Sequence, residues 1–109
     1  MNLIPLAKKY FLYFENKNIK SLKSLFGSEV KLRDWEINVQ GFDNVVMQNI
    51  KIFENLDNFK LKIIDLAQSE NIIFAEIEII LANNEIVKVL DKITFNKDLK
   101  ISEIKAFKG

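Results

Sequence analysis

Glu85-Ile-Val-Lys-Val-Leu-Asp-Lys-Ile-Thr-Phe-Asn96 alternates from end to end. One face carries Val87, Val89, Asp91, Ile93 and Phe95, the other Lys88, Leu90, Lys92 and Thr94. A period of two with one apolar face reads as a strand that buries one side. Asp91 stands in the middle of that apolar side. A buried charge is costly, so Asp91 must find partners or stay protonated. Three more strand-like segments flank this one: Phe59–Ala67, Ile72–Leu81 and Lys100–Phe107. The breaks between them, Gln68–Asn71, Ala82–Asn84 and Asn96–Asp98, are rich in Asn, Asp and Ser, which tolerate turn geometry. The C-terminal half therefore reads as a meander of four strands.

Upstream the period changes. Leu3, Leu6, Ala7, Tyr10, Phe11 and Phe14 recur at three- and four-residue steps, which predicts an amphipathic helix with Tyr10 in its buried stripe. The only proline, Pro5, lies near the start of that helix, where a missing N–H costs least. Asn18 is a good N-cap for a short second helix, which turns Leu22, Leu25 and Phe26 inward and stops at Gly27. Val30, Leu32 and Asp34 alternate with Lys31, Arg33 and Trp35, as in a strand. Gly41 and Asp43 introduce a third helix with Val46, Ile50 and Phe53 on one side. Helices first and a strand meander after them predict an α+β fold, with helices on one face of an antiparallel sheet.

The 109 residues are 49% apolar and 28% charged, ordinary for a globular chain of one domain spanning residues 1–109. Sixteen basic and 15 acidic side chains leave a net charge of +1, with the lysines scattered. A nucleic-acid partner would need a clustered basic excess, so none is expected. There is no Cys and no His, which removes thiol nucleophiles, disulfides, imidazole acid–base chemistry and the usual zinc sites. Carboxylates, Tyr, Lys and Ser remain as proton carriers. No nucleotide-binding glycine motif or metal cluster is present, so no cofactor is expected. No apolar run approaches 18 residues, and Met1–Tyr13 lacks a basic region ahead of an apolar one. A soluble cytoplasmic chain, without a membrane span or signal peptide, is the expectation.

Three polar residues break apolar patterns. Asp91 does so in its strand, Asp34 follows Val30 and Leu32 on an inward face, and Tyr10 lies on a buried helix stripe. Each alone has an ordinary reading. A core tyrosine bonds backbone, Asp34 caps a strand end or pairs with Arg33 or Lys31, and Asp91 pairs with a lysine. Asp65 also follows an apolar face, Phe59, Leu61 and Ile63, and reads as a strand-end residue near solvent. Together, Tyr10, Asp34 and Asp91 point from three elements toward one core, which is the minimal set for proton chemistry in an apolar site.

The chain resembles the nuclear transport factor 2-like superfamily, in its SnoaL-like and ketosteroid isomerase-like branch. Ala7, Tyr10, Phe14, Asn18, Leu22, Leu25 and Phe26 look like that family's opening helices. Val30–Asp34 resembles its first strand, Val87–Phe95 its strand with a central aspartate, and Ile101–Gly109 its last strand. The resemblance implies a cone-shaped, cystatin-like α+β barrel, with N-terminal helices packed on a curved antiparallel sheet. It also implies roles: Asp34 where the family's general base sits, Tyr10 at its oxyanion-hole tyrosine, and Asp91 at its protonated aspartic acid. Trp35 departs from the proline typical of the isomerases.

Candidate pocket walls are Phe14, Trp35, Phe42, Ile50, Phe53 and Phe74. The first functional expectation is an isomerase, or a related lyase or cyclase, that abstracts a proton next to a carbonyl on a small apolar substrate. The second is a non-catalytic module holding a hydrophobic ligand in the same cavity. The third is an interaction module: Ile77, Ile79 and Leu81 form an apolar stripe opposite Glu76 and Glu78, and a homodimer would cover apolar sheet surface.

Overall fold

A computed structural model of residues 1–109 has three helices packed on a curved six-stranded sheet. The elements run α1 (Ile4–Glu15), α2 (Ile19–Lys23), β1 (Phe26–Arg33), β2 (Asn38–Gln40), α3 (Phe42–Asn55), β3 (Lys60–Ser69), β4 (Ile72–Ile80), β5 (Ile86–Phe95) and β6 (Ile101–Lys108). The strand order is β2-β1-β6-β5-β4-β3. β3 through β6 form the expected antiparallel meander, whereas β1 lies parallel to β6. The sheet is thus mixed, and with β2 and β3 left as edges it does not close into a barrel.

The inner face of the sheet and the apolar faces of the helices share one core. Ala7, Tyr10 and Phe11 of α1 are buried in it, with Leu22 of α2 and Val45 and Phe53 of α3. Ile73, Ala75 and Ile77 of β4, Val89, Ile93 and Phe95 of β5, and Ile101 and Ile104 of β6 come from the sheet. Two side-chain bonds fix α1 over the β3 edge. Leu3 N–H donates to Gln68 Oε1 at 2.9 Å, and Leu61 N–H donates to Glu15 Oε2 at 2.6 Å. These bonds satisfy edge-strand and helix-end groups that would otherwise lack partners.

Several boundaries differ from the sequence expectation. Asn18 does cap α2, its Oδ1 accepting from Ser21 N–H, but the helix ends at Lys23 and not at Gly27. Gly27 lies within β1, where a Cβ would stand 3.0 Å from Asn96 Nδ2. β1 starts early because Phe26 pairs with Ile101. It stops at Arg33, so Asp34 lies beyond the strand. In α3 the buried positions are Val45, Asn49 and Phe53, and Ile50 is only half-buried. Asp65 is exposed in mid-strand, not at a strand end, because the β3–β4 register shifts between Ile63 and Asp65. That bulge leaves Ile64 and Asp65 both exposed and returns Leu66 to the half-buried side.

Candidate functional site

Asp91 sits at the centre of the inner sheet face, paired in register with Ala75 of β4 and Ala106 of β6. Two alanines beside a carboxyl leave space above it where larger residues would fill the core. A cavity of about 340 Å³ opens there, at the lower end of the range for small-molecule sites. Of its 20 lining residues 16 are apolar. α1 contributes Tyr10, Phe11 and Phe14, the β1–β2 turn contributes Asp34, Trp35, Glu36 and Ile37, and α3 contributes Asn49 and Ile52, with Leu56 just after its end. The sheet supplies the rest, including Ile77, Ile79, Val87, Val89, Asp91 and Ile104.

Tyr10, Asp34 and Asp91 therefore meet in one cavity. Asp91 is 6% exposed and Tyr10 5% exposed. Neither side chain hydrogen-bonds within the chain, yet no fully enclosed side-chain oxygen or nitrogen lacks a partner. Their polar atoms reach the cavity. Burial first, and then the negative charge of Asp34, push the Asp91 carboxyl from 3.8 up to about 7. Burial, followed by the charge of Asp91, pushes the Tyr10 phenol well above its ordinary 10.0. Tyr10 is a permanent donor at neutral pH, and Asp91 is poised between acid and carboxylate.

Asp34 is placed by its own turn. Its Oδ1 accepts the N–H groups of Glu36 at 2.7 Å and Ile37 at 2.6 Å, and Asp34 N–H donates to Ile37 C=O at 2.9 Å. The Asx turn orients the carboxylate between the end of β1 and the cavity. Oδ2 makes no bond within the chain. Asp34 is half-buried, as its place at the mouth requires. Trp35, 47% exposed, forms the rim, with the Lys108 ammonium 5.7 Å from its ring centroid.

The predicted walls divide. Phe14 and Trp35 line the cavity, and Phe42, Ile50, Phe53 and Phe74 do not. Phe53 is core behind Phe14, at a ring distance of 5.2 Å. Phe74 faces outward and is 36% exposed, because its neighbours Ile73 and Ala75 take the inward positions. Phe42 and Ile50 fall off the cavity face of α3, which presents Asn49 and Ile52. Ile77, Ile79 and Leu81 line the cavity too, so that apolar stripe faces inward.

Sequence reasoning missed Asn49. It is 2% exposed, and its Nδ2 donates to Val45 C=O at 2.9 Å. A signal was present: with Val45, Ile52, Phe53 and Leu56 it occupies one helical stripe, which it interrupts as Asp91 interrupts its strand. No His or Cys exists, and no group of three acidic side chains could hold a metal ion. No helix is long and apolar enough to cross a membrane.

The helices, the mixed curved sheet and the cavity between them define the nuclear transport factor 2-like fold, shared by SnoaL-like and ketosteroid isomerase-like proteins. A candidate ketosteroid isomerase from Kribbella flavida DSM 17836 superposes with a TM-score of 0.86 at 16% identity, over 98% of this chain and 77% of that one. A candidate isomerase of the SnoaL-like family from Agrobacterium tumefaciens str. C58 gives 0.84 at 9% identity, covering 97% and 96%. An NTF2-like protein of unknown function from Cytophaga hutchinsonii ATCC 33406 gives 0.82 at 11% identity, covering 100% and 91%. No family model matches the sequence, and no curated protein matches it. At these identities the likeness establishes the fold, and the fold alone does not choose among activities.

Proposed function

We propose that the chain is a small-molecule pocket protein that abstracts a proton next to a carbonyl on an apolar, uncharged substrate, as an isomerase does. Asp34, through its unbonded Oδ2, is the base. The Tyr10 hydroxyl and the protonated Asp91 carboxyl donate to the oxyanion that forms as the C–H bond breaks. On a β,γ-unsaturated substrate, return of the proton to the γ-carbon of the dienolate moves the C=C into conjugation and completes an isomerisation. Donors already in place in a site poor in water stabilise such an oxyanion without reorganising. The observation that carries this reading is Asp91, buried without a hydrogen-bond partner beside Tyr10 and within the field of Asp34. That arrangement destabilises the fold at neutral pH and has no structural use.

The test is exchange of α-protons of 1-tetralone for deuterium in D₂O, followed by NMR. Wild type should accelerate exchange, and Asp34→Asn should lower the rate by ~100-fold or more, the scale of a general base. An Asp34→Asn protein as fast as wild type would overturn the assignment. One feature favours a second reading, a non-catalytic pocket for a hydrophobic ligand: Asp34 Oδ1 already serves its turn. In that case wild type binds ketones and exchanges no proton.

A second copy of the chain is the partner that the outer sheet face supports. Phe74, Leu90 and Phe107 are exposed there. Charges of both signs surround that patch: Glu78 stands between Lys62 and Lys88 in register, and Lys105 pairs with Glu103 at 4.0 Å. A two-fold axis near Leu90 would bury the apolar patch of each copy against the other.

A further inference from the structure

Asn49 is a buried amide on the cavity side of α3, a place where an apolar residue would serve the fold better. Asn is a poor mid-helix residue and a costly one to bury. One N–H of Nδ2 donates to Val45 C=O, and this bond fixes the orientation of the amide, since only the nitrogen can donate to a carbonyl. Oδ1 must then point away from the helix backbone. It has no partner in the chain, and it is not fully enclosed by protein atoms. With Asn49 only 2% exposed and lining the cavity, the space Oδ1 opens to is the cavity itself. The oxygen is a fixed acceptor that waits for a donor.

The other polar groups have the opposite sense. Tyr10 presents a hydroxyl, and Asp91 in its protonated form presents another, so the sheet floor and α1 offer donors. No lysine or arginine lines the cavity, whereas Asp34, Glu36 and Asp91 do. A carboxylate or phosphate inside would meet three acids and no cation.

We infer that Asn49 is a specificity-determining residue, and that the ligand is an uncharged compound bearing two polar ends: a carbonyl for Tyr10 and Asp91, and a hydroxyl or N–H donor for Asn49 Oδ1. An uncharged hydroxyketone satisfies Tyr10, Asp91 and Asn49 Oδ1 together, and a simple ketone leaves that oxygen without a partner. A site built to bond a hydroxyl discriminates against the analogue that lacks it, because its own buried group is then left without a partner. The inference rests on the cavity being a small-molecule site, and it does not require turnover.

The test is calorimetric binding of two rigid ketone sets. One is 1-tetralone with its 5-, 6- and 7-hydroxy derivatives. The other is 4-phenylcyclohexanone with 4-(4-hydroxyphenyl)cyclohexanone, whose hydroxyl reaches further. Wild type should bind at least one hydroxyketone about ten-fold or more tighter than its parent ketone. In Asn49→Leu, close to the same size, that ratio should fall to about one while the parent ketone binds as well as before or better. The melting temperature of Asn49→Leu should equal or exceed wild type, since an amide kept for recognition is removed at no structural loss. Binding without preference for any hydroxyl, or a preference that survives in Asn49→Leu, overturns the role of Asn49 and leaves the pocket standing. Failure of every ketone to bind wild type removes the ligand site, and Asn49's role with it. A melting temperature lowered by several degrees in Asn49→Leu makes the residue structural and also overturns the inference.

Discussion

Asp91 holds its proton because water is kept from it, and folding bears the cost. In the unfolded chain it titrates at the ordinary 3.8, and in the folded chain at about 7. Between those values the folded state binds more protons than the unfolded one, so stability falls as pH rises from about 4 to about 7, then levels. At pH 8 the penalty is of order 4 kcal/mol, three pKa units at ~1.36 kcal/mol each. Asp91→Asn should abolish that slope and be more stable than wild type at pH 8. Urea denaturation at pH 5 and pH 8 measures both. Asp34 offers a finer test, because its charge is the second cause of the Asp91 shift. Asp34→Asn keeps an acceptor for Glu36 and Ile37 N–H while removing the charge. The Asp91 midpoint, followed by carboxyl NMR, should move down. If Asp34 is the base and Asp91 a donor, turnover should also fall as pH rises through about 7, when Asp91 loses its proton.

Among the elements, α3 and β6 set the volume and aim of the cavity. Gly41 starts α3 with φ +96° and ψ 147°, a region open in practice only to glycine. A Cβ there would meet nothing closer than Asn44 Nδ2 at 4.0 Å. Gly41→Ala therefore tests the backbone alone, and should cost about 1–3 kcal/mol by chemical denaturation. On β6, Ala106 lies beside Asp91 and lines the cavity. Ala106→Leu fills that space with apolar atoms. Ketone binding should disappear, and stability should hold or rise. Retained affinity would place the ligand elsewhere. The helices also show how much a local pattern can hold. Heptad-like spacing revealed α1 and its buried Tyr10, because one face of that helix is apolar over three turns. α3 is apolar at both Val45 and Val46 and at Ile50, Ile52 and Phe53. Its sequence therefore admits two neighbouring faces, and packing on the sheet selects the one containing Asn49.

For the whole molecule, the outer sheet face is the surface on which a second copy is proposed to dock. Leu90 is 41% exposed and Phe107 54% exposed, side by side in register. Sedimentation should find a dimer that persists in salt, as burial of Phe74, Leu90 and Phe107 requires. Leu90→Lys should give a monomer whose cavity still binds ketones, since the two faces of a strand are independent. A wild-type monomer at micromolar concentration would remove the dimer proposal.

The sequence by itself determined the four-strand meander, the leading helices and the placement of Asp91 on an inward face. Each follows from a period of two or 3.6 that neighbouring residues set locally. It also led to Tyr10 and Asp34, since both interrupt apolar runs. The tertiary structure alone decided the parallel joining of β1 to β6, the bulge that turns Asp65 outward, and the short strand β2. It also decided which side of α3 lines the cavity and why Phe53 and Phe74 do not. Those features depend on contacts between residues far apart in the chain, where pairing across the curved sheet and the volume left beside Ala75 and Ala106 choose among locally equal alternatives.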